Sequence, residues 1–108
     1  EFRRVLFRSA SGEGKGLQII AQKAKGFGAN FALVTSNADS PLSKLADTMV
    51  AIEAPTKDDI GCERASIMPM GSLFEETTGL LFDLIIVDLM ECMKITNNDM
   101  VSHHANLE

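Results

Sequence analysis

The chain has 108 residues, enough for one domain but short for a complete doubly wound α/β sheet. Hydrophobic residues make up 45% of it and charged residues 23%, a globular composition that argues against disorder over the whole chain. The net charge is −5 and no cluster of Lys or Arg follows Arg3, Arg4 and Arg8, so a nucleic-acid-binding surface is not expected.

The apolar runs and the cysteines indicate a soluble, reduced protein. The longest apolar run, residues 79–90, contains Asp83 and Asp88 and is shorter than the ~20 residues that span a membrane. The two cysteines, Cys62 and Cys92, do not have the spacing of a metal or redox site. We therefore expect free thiols, a cytoplasmic location, and neither nucleic acid nor a membrane as a partner.

A Ser/Gly-rich turn, residues 9–16, precedes the first predicted helix. Apolar residues then recur at helical spacing: Leu17, Ile20, Ala21, Ala24 and Phe27. Glycines in such a turn let backbone amides at a helix N-terminus point outward and serine hydroxyls add donors, an arrangement that suits a phosphate. The alternative to a phosphate site, which is favoured when the turn is considered alone, is an ordinary loop with Ser11 as the helix N-cap. A Walker phosphate loop is excluded because Gly16 follows Lys15.

The segment "NFALVTSN", residues 30–37, is typical of a strand buried on both faces of a parallel sheet. It ends in Thr35, Ser36 and Asn37, and ligands of open α/β sheets bind at this carboxyl edge. Ser36 and Asn37 are therefore candidates for substrate contacts. Ordinary turn chemistry explains the same residues and is favoured when the segment is taken alone.

Ser40 and Pro41 predict the start of a second helix, with Ser40 as its N-cap and Pro41 at the first helical position. This helix is expected over residues 41–49. A second buried strand is expected over residues 50–54, and a charged loop over residues 55–70.

A long helix is predicted from Ser72 to about Met93, apolar on nearly all sides. A helix of that kind is buried, and in a small protein subunits usually pack against it. Ser72 and Glu75 have the spacing of a capping box, which is the favoured interpretation of both residues. Alternatively, Glu75 is a general base that faces a pocket.

His103 and His104, the two histidines of the chain, lie in a short final helix for which Thr96 is the predicted N-cap. Adjacent histidines point in different directions on a helix, so joint metal ligation is not expected. One of them is a candidate proton shuttle, and an exposed tail is the alternative.

The alternation of helices and strands predicts an α/β fold with a parallel sheet and helices on its faces. Two strands alone do not make a stable parallel sheet. We therefore expect strands that precede the chain in a complete domain to be missing.

Four segments resemble the sugar isomerase (SIS) domain family and, within it, the C-terminal half of the 6-phospho-3-hexuloisomerases. They are "SASGEGKGL", similar to the family's S-G-S-G-E-T-K-S-L, then "TSNADSPLSKLAD", "PMGSLFE" and the terminal "HANLE". The resemblance implies that residues 10–108 are the C-terminal portion of a three-layer α/β/α sandwich around a parallel sheet. It also implies a homo-oligomer, often a tetramer, without metal or organic cofactor.

The activity implied by the resemblance interconverts D-arabino-3-hexulose 6-phosphate and D-fructose 6-phosphate, in the ribulose monophosphate route of formaldehyde fixation. The carbonyl moves between C3 and C2 through an enediolate, which needs a base at carbon and donors for the oxyanion. The alternative is a non-catalytic, sugar-phosphate-binding SIS domain of a regulator.

The resemblance also assigns residues to roles. Phosphate binding falls to Ser9, Ser11, Gly12 and Glu13, the first two through their hydroxyls and the last two through their amides. Glu75 matches the family's candidate base. His104 matches the histidine proposed to move protons on oxygen or to open the sugar ring, reaching a neighbouring subunit's site, whereas His103 matches a variable position.

The chain departs from the family's pattern in its first loop and in its extent. Gly14 stands where the family has a phosphate-contacting Thr, and Ala10 and Gly16 replace Gly and Ser. Met68 stands where relatives often have Gln. The first serine-rich loop and two strands of the family are absent, so we expect the isolated chain to be inactive and prone to aggregation.

Residues 1–9, "EFRRVLFRS", have no counterpart in the resemblance before Ser9. They can be encoded by GAG TTC AGA CGT GTG CTC TTC CGA TCT, which looks like the reverse complement of a widely used sequencing-library adapter. We therefore expect residues 1–9 to be adapter-derived, with a cloning scar as the rival explanation. Residues 5–7 nevertheless fall where the family has a strand, so they are predicted to pair with residues 31–35 as a substitute.

Overall fold

The computed structural model describes residues 4–56 and 66–104. Its elements form two compact units, Glu1–Thr78 and Gly79–Glu108. The first unit contains three strands and two helices, and α3 begins in it and continues into the second. In chain order the elements are β1 (Arg4–Arg8), α1 (Lys15–Gly26), β2 (Asn30–Thr35), α2 (Pro41–Leu45), β3 (Thr48–Ala51), a 3-10 turn (Pro69–Gly71), α3 (Ser72–Met93) and α4 (Asn97–His103).

The three strands form one parallel sheet in the order β1-β2-β3. In the β1–β2 register Val5 lies opposite Phe31 and Phe7 lies opposite Leu33. The prediction that residues 5–7 pair with the strand at residues 31–35 is therefore confirmed. The α/β fold with a parallel sheet is confirmed as well.

The core of the first unit lies between one face of the sheet and the helices α1 and α2. Phe31 and Leu33, two residues apart on β2, lie on the same face of the sheet. They pack against Ala21 of α1 and Leu42 of α2, and all four residues are fully buried. Phe7 of β1 extends this core, and its ring lies edge-on to that of Phe31 with centroids 5.2 Å apart. The neighbouring strand thus contributes apolar packing as well as backbone hydrogen bonds.

The second helix is shorter than predicted, and the strand that follows starts earlier. α2 ends at Leu45, and β3 begins at Thr48 rather than at residue 50. The cause is Asp47, whose amide donates to the Phe31 carbonyl at 2.8 Å and whose carboxylate accepts the Phe31 amide at 2.8 Å. These two bonds draw the chain out of the helix and onto β2.

β3 was expected to be buried, and that expectation is wrong for this chain. All four of its residues are exposed, with Met49 40% and Val50 41% accessible. β3 is the edge of the three-stranded sheet, where no further strand shields it within the described residues.

The environment of Phe27, directly after α1, differs from the prediction. Phe27 was placed on the apolar face, but the helix ends at Gly26 and the Phe27 side chain is 91% exposed. Gly28 then takes a left-handed conformation, with φ at +78°, and turns the chain towards β2. The apolar periodicity of α1 therefore extended one residue beyond the end of the helix.

The bounds of α3, Ser72–Met93, agree with the prediction, but its predicted capping box does not form. The Ser72 hydroxyl donates to the Pro69 carbonyl in the preceding 3-10 turn, and Glu75 pairs with Arg8 instead. The 3-10 turn feeds directly into the helix, so Ser72 has helical φ and ψ and cannot serve as a non-helical N-cap.

The second unit contains the remainder of α3, from Gly79, and α4. Here α3 is apolar on nearly all sides, as predicted, but exposed rather than buried in this chain. Its accessible apolar side chains are Leu80, Leu84, Ile85, Ile86, Val87, Leu89 and Met93. Thr96 caps α4 as predicted, in a capping box with Asp99.

Cys92 is a free, exposed thiol on α3, and Cys62 lies outside the described residues. Among the helices of residues 4–56 and 66–104, none combines the length and hydropathy that a membrane span requires.

Asp47 links three elements, which makes the stability of the first unit sensitive to acid. Its carboxylate accepts a hydrogen bond from Lys25 Nζ at 2.7 Å, and Lys25 also donates to the Leu45 carbonyl at 2.9 Å. The Lys25 hydrogen bond and, next, the Phe31 amide hold the pKa of Asp47 below its ordinary 3.8.

A folded-state pKa below the unfolded value stabilises the fold above the unfolded pKa, and the contribution is lost as pH falls through the folded one. We therefore expect the urea midpoint of the chain to fall between pH 6 and pH 3, and to fall less in Asp47→Asn. Asp39→Asn, at an exposed turn carboxylate, is the matched control and should keep the wild-type dependence. Equal pH dependence in wild type and Asp47→Asn would contradict this role.

Candidate functional site

A tight loop follows β1 and leads into α1. The Ser9 amide donates to the Val34 carbonyl at 2.9 Å, which extends the strand pairing by one residue. The chain then turns at Gly12, whose φ is +67°, and the Gly12 amide donates to Ser9 Oγ at 3.2 Å. The Ser9 hydroxyl thus shapes the loop while its own proton stays available to a ligand.

Gly12 is required by space as well as by its φ angle. A Cβ built on it would lie 2.0 Å from Ser40 Oγ and 2.4 Å from Ser40 Cβ. The Leu42 amide donates to the Gly12 carbonyl at 3.3 Å, so the loop rests on the first turn of α2. Ser40 is buried there and caps α2 by accepting the Ser43 amide at 3.2 Å, as predicted.

The N-terminus of α1 is open to an anion. Its N-cap is Gly14, not Ser11, and no side chain caps it. The first helical backbone bond runs from the Gln18 amide to the Gly14 carbonyl at 3.0 Å, so the three preceding amides have no partner within the helix. The Ser11 hydroxyl instead accepts the Glu13 amide at 3.4 Å. The plain loop with Ser11 as N-cap is therefore not what forms.

The carboxyl end of β2 lies against the same loop. Thr35 Oγ1 donates to the Ala10 carbonyl at 3.1 Å, and the Ser36 amide donates to the same oxygen at 3.0 Å. The Ser/Gly-rich turn and residues 35–37 therefore lie at the same edge of the sheet. We call residues 9–14 with Ser36 the loop cradle.

The two candidate residues after β2 have different surroundings. Ser36 Oγ is buried and makes no hydrogen bond with the described protein atoms. Asn37 Oδ1 accepts the Asp39 amide at 3.1 Å, and its carbonyl accepts Ser43 Oγ at 2.8 Å. Asn37 therefore serves the turn, whereas the Ser36 hydroxyl has hydrogen-bonding capacity left for a ligand.

Glu75 stands in the first turn of α3 and reaches the end of β1. Its Oε2 lies 2.8 Å from Nη2 of Arg8, and the two side chains are 56% and 48% exposed. Arg8 alternates along β1 with Phe7 and so lies on the sheet face opposite the α1–α2 core. Because Arg8 directly precedes Ser9, this ion pair connects the candidate base to the start of the loop cradle.

The sequence interpretation missed Arg8. Its position one residue before the cradle was a usable signal, but the pairing spans more than sixty residues of chain and needed the fold. Glu13, by contrast, is exposed on the cradle, with its carbonyl accepting Gln18 Nε2 at 3.1 Å.

The histidines belong to the second unit. His104 is the C-cap of α4, with its amide donating to the Val101 carbonyl at 3.1 Å, and it is exposed. His103 Nδ1 lies 2.8 Å from the Asp99 carbonyl oxygen and 3.1 Å from Ser102 Oγ. His103 also lines a groove with Lys94, Ile95, Asp99 and Met100.

Metal ligation has no candidate in the part of the chain that the structure describes. Within residues 4–56 and 66–104, no group of three or more His, Cys, Asp or Glu side chains is arranged to hold an ion. The chemistry available at the loop cradle is anion binding by amides and hydroxyls, next to one carboxylate and one guanidinium.

No family model matches the chain. Among curated proteins, the 3-hexulose-6-phosphate isomerase of Bacillus subtilis is 40% identical over 104 residues, which are 96% of this chain and 56% of that protein. The 3-hexulose-6-phosphate isomerase of Mycobacterium gastri is 36% identical over 96% of this chain and 52% of its own length.

Solved structures agree in fold. A crystal structure of a hypothetical protein superposes with a TM-score of 0.81 at 31% identity, covering 96% of this chain and 55% of that one. A Methanococcus jannaschii protein, for which a function of 3-hexulose-6-phosphate isomerase has been inferred, superposes with a TM-score of 0.83. It is 23% identical and covers 100% of this chain and 57% of its own, so it supports the fold alone.

The chain spans about half the length of the curated relatives it matches. Its 40% identity to the Bacillus subtilis protein is consistent with its parallel sheet and with the loop cradle at the carboxyl edge of that sheet. The chain is therefore homologous to the proteins named 3-hexulose-6-phosphate isomerase and has an SIS-type α/β fold.

Proposed function

We propose that the chain is part of an isomerase that interconverts D-arabino-3-hexulose 6-phosphate and D-fructose 6-phosphate. The observation that carries the proposal is the loop cradle at the carboxyl edge of a parallel sheet, where α/β proteins bind ligands. The relatives named for this reaction support the same substrate class.

In the proposed complex the substrate phosphate occupies the loop cradle. The hydroxyls of Ser9 and Ser11 donate to its oxygens. The amides of Gly12 and Glu13, which donate to Ser9 Oγ and Ser11 Oγ in the free chain, turn to the phosphate when it binds. The uncapped N-terminus of α1 adds unpaired amides and the positive end of the helix dipole. Ser36 is the further donor at this edge, since its buried hydroxyl has no protein partner among the described residues.

The proposed chemistry is an enediolate isomerisation. Glu75 removes the proton from C2, the hydroxyl-bearing carbon next to the C3 carbonyl, which gives the 2,3-enediolate, and then returns the proton to C3. A proton passes from the C2 oxygen to the C3 oxygen, so that the carbonyl ends at C2. Glu75 is suited to this because it is accessible and lies within the unit that carries the cradle. His104 moves the proton between the oxygens and, in our proposal, does so in a neighbouring subunit.

The proposed assembly is a homo-oligomer, a tetramer for the full-length protein, in the cytoplasm and in the ribulose monophosphate route. The exposed apolar side chains of α3 between Leu80 and Met93 support it, because monomers rarely leave such a surface uncovered. The isolated chain, with the edge β3 and this surface both open, is proposed to be inactive and prone to aggregation.

The proposed origin of the chain divides it at residue 9. Residues 10–108 are the C-terminal portion of an SIS domain, and residues 1–9 are adapter-derived, although residues 4–8 form β1. The nucleotide sequence tests this: codons other than the adapter's across the first nine positions would refute it.

His104 provides a test of the proposed activity in a full-length version of the protein. We expect the full-length protein to form fructose 6-phosphate from D-arabino-3-hexulose 6-phosphate. His104→Ala should lower kcat by about 10²-fold or more, because one proton transfer loses its carrier. His103→Ala is the matched control and should retain wild-type turnover. No product from the full-length protein would overturn the function, and unchanged kcat in His104→Ala would overturn the role of that residue.

A non-catalytic sugar-phosphate-binding domain is the second candidate function. The loop cradle favours it in one respect, because the uncapped N-terminus of α1 and the unpartnered Ser36 hydroxyl can bind a sugar phosphate without any base. Calorimetric titration with fructose 6-phosphate, run beside the isomerase assay on the full-length protein, distinguishes the two: binding without turnover supports the second candidate.

A further inference from the structure

The Ser36 hydroxyl differs from its neighbours at the loop cradle because it is buried and unpaired. Its Oγ has no hydrogen-bond partner among the described residues. The adjacent hydroxyl is fully used: Thr35 Oγ1 donates to the Ala10 carbonyl at 3.1 Å and accepts the Asn37 amide at 3.1 Å. Buried hydroxyls are nearly always paired, and an unpaired one destabilises the chain that contains it. The donor and acceptor capacity of Ser36 Oγ is therefore left for a ligand.

The side chain of Ser36 lies on the side of β2 that faces away from α1. Side chains alternate along a strand, and Phe31 and Leu33 face the core formed with α1 and α2. Thr35 belongs to the same alternate set, so Ser36 faces the opposite side of the sheet. Backbone pairing continues to this point, since the Ser36 amide donates to the Ala10 carbonyl at 3.0 Å, and the alternation therefore includes Ser36.

The proposed site thus has donors on the two sides of the end of β2. The uncapped N-terminus of α1 lies on one side and suits a phosphate. Ser36 lies on the other side and is only partly buried as a residue, so rotation about χ1 can present its hydroxyl to a ligand. A sugar phosphate has a separate group for each side, the phosphate for α1 and an oxygen of the carbon chain for Ser36. Inorganic phosphate offers only the first.

We propose that Ser36 is a specificity-determining residue whose hydroxyl hydrogen-bonds an oxygen of the carbon chain of the sugar phosphate. A hydroxyl suits this role, because it both donates and accepts, as the hydroxyls of a sugar do. The site then prefers a phosphorylated polyhydroxy chain to phosphate alone. The inference rests on the proposed phosphate site at the loop cradle and adds the part of the substrate that Ser36 recognises.

Two ligands that the proposed reaction does not convert test this in a full-length version of the protein. Sorbitol 6-phosphate has the hydroxyls of the sugar chain but no carbonyl, and inorganic phosphate has no carbon chain. Their Kd values are measured by titration calorimetry for the wild type and Ser36→Ala. We expect Ser36→Ala to raise the Kd of sorbitol 6-phosphate about 5- to 10-fold, through the loss of one hydrogen bond. The Kd of inorganic phosphate should change less than about twofold, because no phosphate contact is removed.

A second serine of the cradle is the matched control. Ser11→Ala removes a hydroxyl that is proposed to bind the phosphate, so it should raise the Kd of both ligands by similar factors. The melting temperature of ligand-free Ser36→Ala should equal or exceed that of the wild type, because the hydroxyl has no partner to lose among the described residues.

Three results would overturn the proposal. They are wild-type affinity of Ser36→Ala for sorbitol 6-phosphate, an equal loss of affinity for both ligands, which would assign Ser36 to the phosphate, and a lower melting temperature of the ligand-free variant, which would assign it to the fold. A wild type that binds neither ligand would overturn the phosphate site and this inference together. Failure of the isomerase proposal alone is distinct: turnover is absent, while the Kd of sorbitol 6-phosphate still separates Ser36→Ala from the wild type.

Discussion

Replacing Glu75 by Gln in a full-length version of the protein should lower kcat by about 10²- to 10⁴-fold, the usual contribution of a general base. Gln keeps the size of the side chain and an oxygen that can accept hydrogen bonds, so the first turn of α3 should retain its position. Only the capacity to take a proton is lost. KM should therefore change much less than kcat.

The control for this substitution is Glu76→Gln, at the adjacent exposed carboxylate, which should leave kcat unchanged. Both variants are compared with the wild type in an assay for fructose 6-phosphate formation. Wild-type turnover in Glu75→Gln would remove Glu75 from the mechanism. A large rise in KM with unchanged kcat would assign it to binding instead.

Replacing Gly12 by Ala should destabilise the chain by about 2–4 kcal/mol. Two effects combine: the left-handed φ of +67° and a Cβ that would lie 2.0 Å from Ser40 Oγ. Ser40 is buried and caps α2, so it cannot move away without loss of the cap. Because small domains are stable by only about 5–15 kcal/mol, a large part of the margin is removed.

Two other glycines separate these effects in urea unfolding followed by circular dichroism. A Cβ on Gly28, whose φ is +78°, meets nothing within 4 Å, so Gly28→Ala tests backbone strain alone, expected at about 1–2 kcal/mol. A Cβ on Gly16 also meets nothing within 4 Å, and its φ is not left-handed, so Gly16→Ala should be neutral or stabilising in the helix. Equal stability of Gly12→Ala and wild type would contradict the close packing of the loop cradle.

Features that depend on residues a few positions apart were predictable. The bounds of α3 at Ser72 and Met93 and the caps at Ser40 and Thr96 rest on short-range patterns, and the structure agrees with them. The meeting of the Ser/Gly-rich turn with residues 35–37 was also predictable, because carboxyl ends of parallel strands share one edge.

Other features failed as predictions because long-range contacts overrode local preference. Helical propensity continued through residue 49, but Asp47 binds both backbone groups of Phe31 and starts β3 at Thr48. Phe27 fitted the apolar periodicity of α1, yet the turn into β2 leaves it exposed. The hydrophobic residues of β3 predicted a buried strand. Burial, however, depends on other elements that cover the strand, and the residue pattern of the strand itself does not show whether they are present.

The sequence by itself determined the α/β class, the caps of α2 and α4, the position of the loop cradle and the resemblance to hexulose phosphate isomerases. These depend on local hydrogen bonds, on periodicity and on motifs that are contiguous in the chain. Only the tertiary structure decided that Ser40 occupies the space a Gly12 side chain would need, and that Arg8 holds Glu75. Both are contacts between side chains distant in sequence, and their energies depend on distances of a few ångströms that exist only once the sheet has formed.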